Sequence, residues 1–88
     1  NPLQPEALLG LGQLAYDAGD FAAAAAYYDR ALTVRPTPSV AKTLGAIRLY
    51  QLNDRAGARA AFTRAIALTP PDDPDLAELR TLVGELQR

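Results

Sequence analysis

The 88-residue sequence contains no histidine, cysteine, methionine or tryptophan. Without cysteine it can form no disulfide, and without cysteine and histidine it lacks a thiolate zinc site, a Cys or His nucleophile and an imidazole general base. The charge is nearly balanced, with nine Lys and Arg against ten Asp and Glu. This balance disfavours nucleic-acid binding, because nucleic-acid-binding domains carry a strongly basic face. We therefore expect a non-enzymatic chain with no cofactor, no metal and no nucleic-acid partner.

Long hydrophobic segments are also missing from the sequence. The longest apolar run is the alanine-rich stretch 21–28, which is too short and too weakly apolar to span a bilayer. No signal peptide is recognisable. We expect a soluble protein with no direct membrane insertion, and we slightly favour the cytoplasm over the periplasm. Because the chain begins with Asn1-Pro2 and no Met, we interpret it as a piece excised from a longer protein.

Alanine is what the sequence has in abundance, and apolar residues make up 49% of the chain. This predicts one small domain with a core of small side chains. When the sequence is shifted by the distance from Tyr16 to Tyr50, it aligns with itself without gaps, which indicates an internal repeat. We call this distance the repeat period. The identical pairs are Tyr16/Tyr50, Asp20/Asp54, Ala24/Ala58, Ala26/Ala60, Arg30/Arg64, Ala31/Ala65 and Pro36/Pro70.

Each repeat unit has the pattern of two helices, and the spacing of apolar residues favours helix over strand throughout. We predict five helices, over residues 5–18, 21–34, 38–52, 55–68 and 74–87. Gly19-Asp20 and Asn53-Asp54 mark the turns, since Gly supplies a left-handed helix end and Asp caps the next helix. Asp73 is the expected N-cap of the last helix. The short connections predict antiparallel packing of successive helices.

These residues resemble the tetratricopeptide repeat family, whose signature is Trp-x2-Leu-Gly-x2-Tyr, then Ala-x3-Phe and a closing Pro, on a period of about 34 residues. The first unit matches with Leu8 at the Trp position, and with Leu11-Gly12, Ala15-Tyr16, Ala24-x3-Tyr28 and Pro36. The second unit matches in its back half, with Ala58-x3-Phe62 and Pro70. Its front half departs: Lys42 replaces the aromatic, and Gly45-Ala46 stands where Leu-Gly is expected. Leu44-Gly45 restores the pair only with a one-residue slip, which leaves the rotation of that helix open.

The resemblance implies an all-α fold of antiparallel helix-turn-helix repeats, stacked as a short right-handed superhelix of five helices. Residues 1–88 would be a single domain, with repeat 1 at 3–36, repeat 2 at 37–70 and a capping helix at 71–88. Pro2 would be the closing proline of a preceding repeat. In this arrangement small residues let helices approach closely, at Gly12, Ala15, Ala24, Ala31, Ala46, Ala58 and Ala65. Large residues fill the remaining space: Leu8, Leu11, Phe21, Tyr28, Leu32, Leu49, Phe62 and Ile66.

The resemblance also implies a function, because the first helices of such repeats line a concave groove that holds a peptide or a partner helix. We expect a non-catalytic protein-binding scaffold with Tyr16 and Tyr50 as anchors. The predicted helix over 38–52 has a second apolar face, along Val40, Leu44 and Ile47, which needs a cover: the ligand, the fifth helix or a neighbouring repeat. The expected groove residues are Glu6, Leu9, Gly10, Gln13, Tyr16, Asp17, Val40, Thr43, Leu44, Ile47, Tyr50 and Gln51, joined by Ala77, Arg80, Thr81, Gly84 and Arg88 if the fifth helix extends the groove.

Some members of the family clamp a C-terminal carboxylate with Lys and Asn, but those positions carry Leu9, Gln13 and Leu44, so we expect no such clamp. The leading alternative function is structural: homo-oligomerisation that buries Ile47 and Tyr50, or bracing another domain of the same chain. RNA binding is a third alternative.

Charge is distributed unevenly along the chain, with an excess of basic residues over 30–64 between two acidic segments. This band either favours an acidic partner or head-to-tail stacking, or it pairs with neighbouring acids, and we favour the pairing. The acidic cluster at 72–75 fits helix capping better than cation binding.

Overall fold

The computed structural model describes residues 4–88, which form an all-α fold of five helices. The predicted ranges of the second and fourth helices are confirmed, and the ends of the first and fifth differ by one residue. The predicted start of repeat 1 at residue 3 and the interpretation of Pro2 lie outside the described residues. The helices are α1 (Pro5–Asp17), α2 (Phe21–Val34), α3 (Pro38–Ala46), α4 (Arg55–Leu68) and α5 (Asp75–Leu86), and α3 continues as a π-helical segment (Ile47–Gln51).

Both hairpin turns use a residue in the left-handed conformation followed by a capping aspartate. Gly19 has a φ of 81° and Asn53 a φ of 54°, a region that Gly adopts freely and Asn tolerates better than most residues. Asp20 and Asp54 then accept hydrogen bonds from the backbone N–H three residues later, at 3.2 Å and 2.9 Å. The predicted turn and cap positions are therefore confirmed.

The start of α5 differs from the prediction by one residue, because Pro74, and not Asp73, takes the N-cap position. An Asp73 carboxylate oxygen accepts a hydrogen bond from the backbone N–H of Asp75 at 2.9 Å. Asp75 in turn forms an ion pair with Lys42 on α3, at 3.0 Å. Two of the three clustered acids thus have structural roles, one in starting α5 and one in holding it to α3.

Each helix packs against the next one along the chain. Because α2 packs against both α3 and its π-helical segment, the two hairpins share one core. Small side chains occupy the closest approaches, as the alanine content predicts: Ala24, Ala41, Ala58 and Ala65 are fully buried. Leu8, Leu32 and Leu44 are the largest fully buried side chains. Leu11 is an exception to the expected core, with 38% of its surface exposed.

A ring packed against a glycine backbone sets the distance between the helices of each hairpin. A Cβ atom on Gly12 would lie 3.1 Å from the ring of Tyr28, and one on Gly45 would lie 2.8 Å from the ring of Phe62. Tyr28 and Phe62 are separated by the full repeat period, but Gly12 and Gly45 are separated by one residue less. Gly45, and not Ala46, therefore takes the place of Gly12, so the first half of α3 follows the one-residue slip.

The π-helical segment at the end of α3 compensates for this slip. In repeat 1 the N–H of Ala18 donates to the carbonyl of Leu14, four residues earlier, at 3.0 Å. In repeat 2 the N–H of Leu52 donates to the carbonyl of Ile47, five residues earlier, at 3.1 Å. One extra residue is thus accommodated within this segment, and the repeat period is restored before the second turn. The predicted continuous α-helix over 38–52 is wrong at this segment.

Within residues 4–88, no helix combines the length and the apolar character that a membrane crossing requires.

The contact between Gly45 and Phe62 makes a direct prediction. Gly45→Ala should destabilise the fold by about 1–3 kcal/mol, because a methyl group has no space beneath the ring. Gly84→Ala in α5 is the matched control: no atom lies within 4 Å of its added Cβ, so it should stabilise by about 0.5–1 kcal/mol. Urea unfolding of both variants measures the difference. Equal stabilisation by the two substitutions would show that the ring does not restrict Gly45.

Candidate functional site

A cleft of about 260 Å³ lies between α1 and the end of α3. All of its lining residues in the described chain are uncharged, and several carry amide or hydroxyl groups. They are Gln13, Tyr16, Tyr28, Thr43, Ala46, Ile47, Tyr50 and Gln51. We call this the first cleft.

A second cleft of about 360 Å³ lies between α3 and α5. It is more apolar than the first and has charged groups from Lys42, Asp75 and Glu78 in its lining. Ala46 and Tyr50 line both clefts, so the two form one groove across α1, α3 and α5. Side chains of the fifth helix thus line the second of the two clefts. The complete lining of the second cleft is Lys42, Ala46, Tyr50, Phe62, Asp75, Glu78, Leu79 and Leu82.

Tyr50 is the most exposed large apolar side chain in the described chain, at 72%. It belongs to the π-helical segment and has a place in both clefts. Its neighbour Gln51 donates a hydrogen bond from Nε2 to the Tyr16 hydroxyl at 3.2 Å, which links α3 to α1 across the first cleft. The side chain that the repeat alignment pairs with Tyr16 is thus presented to solvent at the centre of the groove.

Tyr16 is held in place on the other wall of the first cleft. Its ring packs edge-on against Phe21, with centroids 5.1 Å apart and planes at 70°, an arrangement that aromatic pairs prefer. Next to it, Gln13 donates a hydrogen bond from Nε2 to a carboxylate oxygen of Asp17 at 2.9 Å. On this side of the first cleft, the Tyr16 ring and the Gln13 amide are therefore each held by a neighbouring side chain.

Tyr28 contributes to the lining of the first cleft from α2 and is only 7% exposed. Burial raises the pKa of its hydroxyl above the ordinary value, and the charge of Asp17 and the neighbouring Tyr16 raise this pKa further. The folded protein thus disfavours the ionised form of Tyr28.

This pKa shift predicts a loss of stability at alkaline pH. The unfolded chain ionises Tyr28 near pH 10, whereas the folded chain ionises it at higher pH, so stability is fully present below pH 10 and falls as the pH rises beyond it. Tyr28→Phe should reduce this fall while leaving the slope between pH 7 and 9 unchanged. Urea unfolding at stepped pH measures both slopes, and identical alkaline slopes in the two proteins would contradict the role of Tyr28.

Several of the residues expected in the groove lie on it or beside it. Gln13, Tyr16, Tyr50 and Gln51 line the first cleft together with Thr43. Asp17 is exposed and is joined to this set through its hydrogen bond with Gln13.

Other expected groove residues belong to the core or pack against it. Leu44 is 1% exposed and belongs to the core, and Ile47, at 3%, reaches the cleft only as part of its floor. Leu9 and Val40 are half-buried and pack against the core. The reason for the position of Leu44 is the one-residue slip, which aligns it with Leu11 and rotates it toward α2.

The face that α5 turns to the groove also differs from the expected one. Arg80 is exposed but lines neither cleft, and the lining comes from Asp75, Glu78, Leu79 and Leu82. Leu79 is part of an apolar stripe that the sequence shows clearly, yet the stripe alone does not distinguish packing from groove lining.

The basic band over residues 30–64 is largely satisfied within the molecule. Four of its side chains contact acidic residues or helix-end carbonyls, as the pairing interpretation predicts. The pKa of Glu6 is lowered by a backbone hydrogen bond of Glu6 itself, which is the larger cause, and then by Arg35. The contacts are Arg35–Glu6 at 2.9 Å, Lys42–Asp75 at 3.0 Å, Arg48–Asp29 at 3.9 Å, and Arg55 to the Glu85 carbonyl at 3.3 Å.

The two hairpins and the final helix define a helical-repeat protein. The tetratricopeptide repeat family model matches residues 1–41, which include α1, α2 and the start of α3. This match confirms the resemblance, and the helices that follow continue the same architecture. No curated protein matches the chain. Repeats of this family are generally protein-interaction modules and typically non-catalytic scaffolds.

Proposed function

We propose that this chain is a non-catalytic scaffold that binds a peptide or a partner helix in the groove across α1, α3 and α5. The observation that carries the proposal is Tyr50, which is 72% exposed and stands between two clefts. An exposed aromatic ring with a polar tip is a typical anchor at protein interfaces, because it contributes large contact area at low entropic cost.

The two clefts suit different parts of one ligand. The first offers the amides of Gln13 and Gln51 and the hydroxyl of Thr43, which can pair with the backbone N–H and C=O groups of an extended segment. The second offers Leu79 and Leu82, which suit an apolar side chain. A segment that crosses Tyr50 would therefore place its backbone in the first cleft and an apolar side chain in the second.

The charges around the groove favour an internal segment of the partner over a free C-terminus. Lys42 is the basic side chain in the lining, and its Nζ is paired with Asp75 at 3.0 Å. The positions of the carboxylate clamp carry Leu9, Gln13 and Leu44. Glu78 adds a negative charge to the second cleft. A carboxylate or an acidic segment would thus meet acids without an available cation.

The homo-oligomer alternative has weaker support at this site. It requires Ile47 and Tyr50 to be buried together between copies, but Ile47 already belongs to the core of one copy. The bracing alternative has a separate supporting observation on α1, where Leu11 and Leu14 are exposed.

Selection from a display library of random linear peptides tests the groove. We expect binders that compete with one another, and we expect Tyr50→Ala to weaken them about tenfold or more, the effect of removing an interface anchor. Arg59→Ala, exposed on α4, is the control and should leave affinity unchanged. Circular dichroism verifies that both variants remain folded.

Two outcomes would contradict this proposal. One is a set of binders whose affinity is unaffected by the double variant Tyr16→Ala/Tyr50→Ala in a folded protein. The other is a requirement for a free peptide carboxylate, detected as loss of binding when the C-terminus is amidated.

A further inference from the structure

The charged side chains that line the second cleft do not balance. Asp75 and Glu78 line it from α5 and Lys42 lines it from α3, so one basic side chain stands against two acidic ones. Lys42 places its Nζ 3.0 Å from a carboxylate oxygen of Asp75. The ion pairs within residues 4–88 do not include Glu78. The cleft therefore contains one carboxylate that the described part of the chain does not pair with a cation.

The helix geometry keeps this second carboxylate close to the first. Asp75 and Glu78 are three residues apart on α5, a spacing that places both on the same face of a helix. Lys42 carries a single ammonium group, and its pair with Asp75 joins α3 to α5. A second cation at this face would thus have Glu78 as its partner without breaking the contact between the helices.

The rest of the second cleft is apolar. Phe62 and Leu79 are only 4% and 6% exposed, and Leu82 and Ala46 are half-buried beside them. The exposed ring of Tyr50 adds an aromatic surface to the same lining. One cleft of about 360 Å³ thus offers apolar carbon, an aromatic ring and a carboxylate together.

Each class of ligand side chain would meet this lining differently. An acidic side chain would be repelled by Glu78 and Asp75. A purely apolar side chain would remove water from Glu78 without giving its charge a partner, which is costly. A long basic side chain avoids both costs, because its methylene groups cover the apolar surface while its charged head stays at the exposed end.

Arginine matches the lining more completely than lysine does. Its planar guanidinium forms paired hydrogen bonds to a carboxylate and also stacks on aromatic rings. Glu78 and Tyr50 offer one of each, and a cation over a tyrosine ring is attracted to it. The ammonium group of lysine is more strongly hydrated and lacks the planar fork, so it would use only the charge of Glu78.

We propose that the second cleft is a specificity pocket for an arginine side chain of the partner peptide, and that Glu78 selects it. This inference rests on the proposed function, since the arginine belongs to the segment that crosses Tyr50. It also makes that function more specific: the side chain that enters the second cleft is apolar along its stem and basic at its tip.

Peptides selected from the random display library test the pocket. We expect them to share an arginine at one position. Replacing it by norleucine, which has an unbranched apolar side chain without the charge, should weaken binding about tenfold, the size of one hydrogen bond to a charged group. Glu78→Gln should weaken the arginine peptide by a similar factor and leave the norleucine peptide unchanged.

Glu85→Gln is the matched control for the protein. It makes the same chemical change on the same helix, at an exposed residue outside the lining of both clefts. We expect it to leave the affinity for both peptides unchanged. An equal loss from Glu85→Gln and Glu78→Gln would mean that overall charge attracts the peptide, which would overturn the pocket.

The remaining outcomes separate this inference from the proposed function. Peptides that lose affinity with Tyr50→Ala, but share no basic position or bind the Glu78→Gln protein as tightly as the original, would overturn the arginine pocket alone. Peptides that neither Tyr50→Ala nor Glu78→Gln affects would overturn the groove and the pocket together.

Discussion

The contact on which the rest of this structure depends is an aromatic ring packed against a glycine backbone, once in each hairpin. Phe62 covers Gly45 so closely that a Cβ there would lie 2.8 Å from the ring. Because a ring of this size fits only where the side chain is absent, the contact determines which residue of α3 faces α4. The rotation of α3 then decides that Leu44 enters the core and that Tyr50 remains outside.

Two constraints act on α3, and they are incompatible with a regular α-helix. Its first half must place Gly45 under Phe62, and the separation of Gly45 from its equivalent, Gly12, is one residue shorter than the repeat period. Its end must reach Asp54, which caps α4 and follows Asp20 by the full repeat period. The π-helical segment accommodates the difference of one residue. Single-turn π-bulges inside α-helices are frequently found at functional sites. Here the extra residue lies beside Tyr50, in the lining of both clefts.

The sequence predicted the elements that depend on local chemistry. The ranges of α2 and α4 and the caps at Asp20 and Asp54 follow from turn and capping preferences that act over three or four residues. The π-helical segment was not predictable in this way. The repeat alignment needs no gap, because the residue missing before Gly45 is balanced by the extra residue in the π-helical segment. The Leu44-Gly45 pair indicated the slip, but the structure was needed to show that Gly45 lies against Phe62 and that the π-helical segment reverses the slip.

The same distinction applies to the candidate site. Gln13, Tyr16 and Tyr50 could be found from the sequence because the repeat alignment holds at both tyrosines. The lining of α5 could not: Leu76, Leu79 and Leu82 repeat Leu8, Leu11 and Leu14 at twice the repeat period, but Arg80 stands where the glycine would fall, so the alignment did not give the rotation of α5. Leu79 faces the groove and Arg80 does not, a difference that depends on how α5 packs against α4.

The exposed groove side and the buried side of α3 are therefore two consequences of one repeat geometry. A helix between neighbours must be apolar on the side toward the preceding hairpin and polar on the side that lines the groove. In α3 the first side is Leu44 and the second is Thr43, adjacent in sequence and opposite in exposure. In α1 the apolar side is Leu11 and Leu14, and the polar side is Gln13. Since Leu14 and Gln13 are both exposed in this fold, a polar groove alone does not explain α1.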